Sequence, residues 1–183
     1  VGVDCHIGSQ ITEISPFADT ADKLIALLDA LKAEGIVLKH VDIGGGLGIT
    51  YTDERPAKPV EMVNIVMQKL IQAGYGDVEL ILEPGRSLVG NIGILVAQVQ
   101  FVKDTEAKNF AIVDAAMNDL IRPTLYDAYH GVLAVQEGKD KAKQTVDIVG
   151  PICESGDWLA KDRQLAVELS LIHISEPTRP RLI

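Results

Sequence analysis

The apolar positions of the chain follow two patterns. Up to about residue 90, short apolar runs at 1–3, 36–43 and 78–82 alternate with longer segments of helical periodicity. Phe17, Ala21, Leu24, Leu28 and Leu31 recur at four- and three-residue spacing and make one apolar face. Ser15 as N-cap, Pro16 at the first helical position and Gly35 at the end bound this helix. Met62, Val63, Val66 and Leu70 line one side of a second helix, over about 59–73, that Gly74 closes. Strand, helix, strand, helix, strand predicts parallel βα units. The polar and glycine-rich segments after each strand then share one rim, whether the sheet closes as a barrel or stays open.

Beyond residue 90 the period changes. In Ala97-Gln-Val-Gln-Phe101 the apolar residues alternate with glutamines, which puts Ala97, Val99 and Phe101 on one face. Residues 109–114 and 145–149 read as further strands, with a short helical turn near 125–130. This half predicts an antiparallel sheet with one solvated face. A domain boundary is therefore expected at about residue 90, with βα units over 1–90 and a sheet domain over 91–168. Residues 169–183 show no element pattern and look like translated sequencing-adapter read-through. They are set aside as a foreign tail, so His173 and Arg179 receive no role. The opening Val-Gly-Val, with no Met, reads as a chain cut inside a strand.

Composition narrows the function classes. The chain has 183 residues, 47% hydrophobic and 23% charged, as in ordinary globular proteins. A formal net charge of −9 argues against nucleic acid as partner. No apolar run is long enough for a membrane span and no signal-peptide pattern opens the chain. Cys5 and Cys153 lie far apart, with neither a disulfide framework nor a paired metal-ligand spacing. A reducing cytoplasm and no metal are expected.

Candidate chemistry clusters after the strands. In Glu83-Pro84-Gly85-Arg86 an apolar strand runs into a proline that cannot donate to a ladder. Gly85 allows close backbone approach, Arg86 offers a planar fork of donors, and Glu83 adds a carboxylate. Such a turn suits a ligand carrying a phosphate and a protonated ring nitrogen, or it is an ordinary turn. Gly44-Gly45-Gly46-Leu47-Gly48 lacks the third glycine of a dinucleotide fingerprint and the Lys-Ser/Thr of a P-loop. It is a run of bare amides able to cradle phosphate, or a tight βα turn. His6 can lie flat on an aromatic ligand and Ser9 can donate to a phosphate; alternatively His6 is a core histidine. Cys5 reads as a small buried hydrophobe. Arg122 and Tyr126 can bind a carboxylate, or belong to a surface ion pair. Cys153, beside Glu154 in a loop, suits a proton donor better than a resting nucleophile, or the loop is structural.

Cys5-His-Ile-Gly-Ser-Gln10, the Gly44 run, Glu83-Pro-Gly-Arg86, Met117-Asn-Asp-Leu-Ile-Arg-Pro-Thr-Leu-Tyr126 and Cys153-Glu-Ser-Gly-Asp157 together resemble the diaminopimelate decarboxylases, in order and approximate spacing. The resemblance covers about 1–168. The first three motifs are shared by the wider barrel-type pyridoxal-phosphate decarboxylases; the last two point away from the ornithine and arginine enzymes.

The resemblance implies the C-terminal part of a TIM-like (β/α) barrel carrying pyridoxal 5'-phosphate, followed by part of an antiparallel β-domain. It implies a homodimer with shared active sites that makes L-lysine and CO2 from meso-2,6-diaminopimelate. Glu83 would keep the pyridine nitrogen protonated and His6 would pack on the ring face. Ser9, the amides of Gly44, Gly45 and Gly46, and the Gly85-Arg86 backbone would hold the phosphate. Arg86, Arg122 and Tyr126 would take the distal carboxylate and Glu154 the distal ammonium. Cys153, from the partner, would return a proton. The family's Schiff-base lysine lies upstream of Val1, and Lys23, Lys32 and Lys69 fall on helices. A cofactor-contacting tyrosine lies beyond Glu168. The chain as written is expected to be inactive. Alternatives are a non-catalytic binding homologue, or a decarboxylase of another amino acid or a carboxylated polyamine. Arg122, Tyr126 and Glu154 speak against the latter.

Overall fold

The computed structural model describes residues 1–135, 142–166 and 171–175. The chain divides into two compact units, Val1–Asn91 and Ile92–Ile183. No helix of the described residues is long and apolar enough to cross a membrane.

The first unit is a parallel sheet of β1 (Gly2–Asp4), β2 (His40–Asp42) and β3 (Glu79–Ile81), in that order. Val3 pairs with Val41 and Val41 with Leu80. Helices α1 (Ser15–Ala33) and α2 (Pro59–Gln72) connect the strands. The helical periodicity sets the core: Phe17, Ala21, Leu24 and Leu28 of α1 meet Met62, Val66 and Leu70 of α2 around Val41 and Ile43. Burying Phe17 alone is worth about 1.5–3 kcal/mol.

Two expectations change here. Ser15 is not the N-cap. Ile14 already has helical backbone angles, and its carbonyl accepts from Phe17 and Ala18, so the helix starts one residue earlier and has no side-chain cap. The run at 36–43 is strand only from His40. The N–H of Ile36 instead returns to Leu31 O behind Gly35, whose φ is +78°, and Val37 is exposed. A short helix, α3 (Gly85–Val89), follows the Glu83-Pro84 turn.

The described residues of the second unit form a six-stranded sheet. Its strands are β4 (Ile94–Asp104), β5 (Asn109–Val113), β6 (Gly131–Ala134), β7 (Gln144–Val149), β8 (Trp158–Leu165) and β9 (Leu171–Ser175), in the order β6-β9-β4-β5-β7-β8. Neighbours are antiparallel except β5 and β7, which run parallel because the connection between them carries α4 (Arg122–Tyr126) and β6 across. Ala97, Val99, Ala111, Val113, Ile148 and Leu159 fill its core.

Phe101 does not continue the buried face of Ala97 and Val99. A bulge at Gln100 shifts the register between Val99↔Val113 and Phe101↔Ile112, so Phe101 turns outward and is 67% exposed. Residues 171–175, for which no element pattern is expected, form the strand β9. The alternation in Leu171-Ile-His-Ile-Ser175 sends Ile172 and Ile174 inward, 4% and 1% exposed, between β4 and β6. Residues 176–183, with Arg179, lie outside the described residues.

Candidate active site

In the first unit the segments after β1, β2 and β3 meet at the strands' C-terminal edge. The loops after β1 and β2 are joined by a parallel bridge, Ile11↔Leu47, and by Gln10, whose amide donates to Ile49 O at 2.6 Å and accepts from Ile49 N at 3.2 Å. The glycines permit this closeness. A Cβ on Gly44 would stand 2.6 Å from Cys5 O, on Gly45 2.2 Å from Glu83 O, and on Gly46 2.5 Å from Gly8 O. Gly44 and Gly46 also have φ of +68° and +95°.

The carboxylates of Asp4, Asp42 and Glu83, which follow or end β1, β2 and β3, lie within 4.8 Å of one another. Asp42 Oδ1 accepts from Gly44 N at 2.7 Å, whereas Glu83 is exposed. This is a negative pole suited to a bound positive charge. Cys5 beside it stays protonated: burial, and then Asp4 and Asp42, push its thiol pKa up.

His6 is exposed rather than a core histidine, and its Nδ1 accepts from Gly45 N at 3.3 Å, which leaves the ring proton on Nε2. Arg86, half-buried on α3, donates from Nη2 to Ser9 Oγ at 2.9 Å and from Nη1 to the hydroxyl of Tyr51. Its Nε is buried and has no partner among the described residues. Tyr51 is held by Glu54, whose carboxylate accepts from the N–H groups of Thr52 at 2.7 Å and Tyr51 at 2.8 Å. Those bonds, the Thr52 N–H foremost, hold the Glu54 carboxyl below the ordinary carboxylate range. His6, Ser9, Gly44, Gly45, Gly46, Glu83, Gly85 and Arg86 thus belong to one rim. Tyr51, Asp42 and Gln10 support it without having been singled out in sequence. An aromatic residue just past the glycine run was the available signal for Tyr51.

In the second unit α4 and the loop between β7 and β8 are stapled together. Thr124 Oγ1 donates to Gly156 O at 2.5 Å. Asp157, 3% exposed, accepts from Met117 N at 2.7 Å and from Ile152 N at 2.8 Å. A Cβ on Gly150 would stand 2.3 Å from Asp157 Oδ2. The loop carrying exposed Cys153 and Glu154 is thereby fixed against the segment that leads to α4, where Arg122 is half-buried and Tyr126 exposed. Glu154 accepts from Gly156 N at 3.2 Å and Ser155 Oγ at 3.1 Å, and these bonds lower its carboxyl pKa, so it is ionised at neutral pH.

Parallel βα units with a glycine-lined, acid-containing rim, followed by a sheet unit with a stapled polar loop, define a class. The family described as pyridoxal-dependent decarboxylase, C-terminal sheet domain, matches residues 9–173, and the chain belongs to it. Within it, the chain is similar to the diaminopimelate decarboxylases. It is 58% identical over 168 residues to that of Neisseria meningitidis serogroup B, covering 92% of this chain and 40% of the relative. It is 51% identical over 166 residues to that of Haemophilus influenzae, covering 91% and 40%. The crystal structure of diaminopimelate decarboxylase from M. jannaschii in co-complex with L-lysine superposes with a TM-score of 0.88 at 38% identity, covering 96% of this chain and 41% of that one. The chain spans about 40% of the length of the curated relatives it matches.

The first unit's residues fit pyridoxal phosphate. Ser9, bare amides and a guanidinium whose buried Nε lacks a partner among the described residues suit the phosphate. The acidic pole at Glu83 suits the protonated ring nitrogen.

Proposed function

We propose that this chain is the part of a diaminopimelate decarboxylase that holds the phosphate and ring nitrogen of pyridoxal 5'-phosphate and selects the substrate. The reaction is decarboxylation of meso-2,6-diaminopimelate to L-lysine and CO2. The observation that carries the reading is the convergence of Ser9, Gly44–Gly46, Glu83 and Arg86 on one sheet edge, phosphate donors on one side and an acid on the other.

Pyridoxal phosphate, when bound, supplies a conjugated cation that takes up the electron pair left as CO2 departs. Glu83 keeps the proton on the ring nitrogen, which makes that uptake favourable. His6, anchored by Gly45 N, packs on the ring face. Ser9, the Gly44 to Gly46 amides and the Gly85-Arg86 backbone hold the phosphate, with Arg86 pinned by Tyr51 and Ser9. Arg122 and Tyr126 recognise the distal carboxylate and ionised Glu154 the distal ammonium, so each charge of the zwitterionic tail meets its opposite. Cys153 delivers a proton to the carbon that has lost CO2. In the complete enzyme it comes from the second copy of a homodimer, at work in the reducing cytoplasm.

The test is a chimera: the stretch of the Haemophilus influenzae enzyme matched by this chain is exchanged for this chain's own residues. Glu83→Gln in that chimera should lower kcat on diaminopimelate by at least about 100-fold, as expected when a charged group acting at the reacting system is lost. The cofactor's absorbance should still appear on the protein. Unchanged turnover would remove Glu83 from the ring nitrogen.

A further inference from the structure

His130 is buried, 1% exposed, and has no part in the chemistry above. Its Nε2 lies 3.2 Å from Nη1 of Arg122. A guanidinium has only donors, so Nε2 accepts and the neutral ring carries its proton on Nδ1. The local backbone builds this contact. Asp127 ends α4 in the left-handed conformation, φ 50° and ψ 34°, which a non-glycine residue adopts at a cost. The chain thereby folds back and brings His130 against the helix's first residue. Arg163 of β8 secures the return, donating from Nη2 to His130 O at 3.2 Å while its guanidinium lies 4.1 Å from the centroid of the Tyr129 ring.

We propose that His130 is a positioning residue for substrate recognition: by accepting from Nη1 it sets the direction in which the Arg122 guanidinium points. An arginine side chain has many rotamers, and a bidentate grip on a carboxylate needs one. The inference rests on the reading of Arg122 as a ligand of the distal carboxylate. It adds that this arginine is preorganised from behind by a buried neutral imidazole.

The experiment compares variants in the chimera, assayed on diaminopimelate. Arg122→Met should raise KM. His130→Leu, similar in bulk but with no acceptor, should raise KM about tenfold with kcat within about twofold, as loss of one hydrogen bond to a charged group implies. His130→Gln, whose amide oxygen can accept from Nη1, should restore most of the affinity. Added to Arg122→Met, His130→Leu should cost nothing further. Should the leucine variant not fold, His130→Asn, polar but too short to reach Nη1, is read in its place. If Arg122→Met raises KM and the histidine variant does not, the positioning role is overturned and the reading of Arg122 stands. Failure of His130→Gln to rescue, or losses that multiply in the double variant, also overturns it. If Arg122→Met leaves KM unchanged, the carboxylate reading falls and the positioning role with it.

Discussion

At Gly45 one methyl group decides whether two loops can meet. Its Cβ would lie 2.2 Å from the carbonyl oxygen of Glu83, a backbone atom that no rotamer can move aside. Gly45→Ala should therefore destabilise the chain by about 1–3 kcal/mol in denaturant unfolding, as overpacking does. Gly85→Ala, with nothing within 4 Å of the added carbon, should stay within about 0.5 kcal/mol. Equal effects would mean that the rim is not closed by this contact. The glycine run was visible in the sequence as a candidate phosphate cradle. Sequence did not show that its members are needed first for packing against the chain's own backbone, because that depends on which loops come together. His6 had two readings in sequence, core or ligand face. It stands exposed with its Nδ1 engaged by Gly45 N, and only the three-dimensional neighbour separates the two.

Among the elements, helices were easy to read and short strands were not. The faces of α1 and α2 follow directly from three- and four-residue spacing, since one periodic stripe must find the core. The strands of the first unit are three residues each, too short for a period, so apolar runs overstated them. The extra residue Gln100 turned Phe101 outward, and alternation alone cannot announce a bulge. In the β9 segment, two inward isoleucines were too few to reveal the strand.

Two elements are joined at points that can be tested. Asp157 ties the loop carrying Cys153 and Glu154 to Met117 and Ile152. Asp157→Asn should cost about 1.5–3 kcal/mol in denaturant unfolding, because the amide turns one acceptor into a donor facing a buried N–H. A neutral result would mean the loop is held otherwise. Strands β7 and β8 are tied to the residue before β5, Lys108, whose Nζ lies 2.6 Å from Asp147 and 3.5 Å from Asp162. The hydrogen bond to Asp147, above the other causes, raises the Lys108 pKa. The folded pKa exceeds the unfolded one, so this contribution is fully present below the unfolded value of about 10.4 and fades as pH rises through the folded value. Melting temperature between pH 8 and 12 should fall at the alkaline end for the native sequence. Lys108→Met should be less stable at pH 8 and should lose that part of the alkaline slope. Parallel curves would refute the assignment.

At the scale of the complete enzyme, these residues are proposed to select diaminopimelate. Selectivity is proposed to rest on Arg122, Tyr126 and Glu154, carried on a scaffold fixed by Thr124 and Asp157. β1 and β3 are the outer strands of the first unit's sheet, each paired on one side. The selectivity is therefore best tested in the chimera, where the relative supplies the remaining chain. The measurement is CO2 release from meso-2,6-diaminopimelate, L-ornithine and L-arginine by the chimera loaded with pyridoxal phosphate. Release from diaminopimelate is expected within about tenfold of the parent enzyme's rate, with none above background from the other two. A folded, cofactor-loaded chimera that leaves diaminopimelate intact, or that prefers ornithine or arginine, would contradict it.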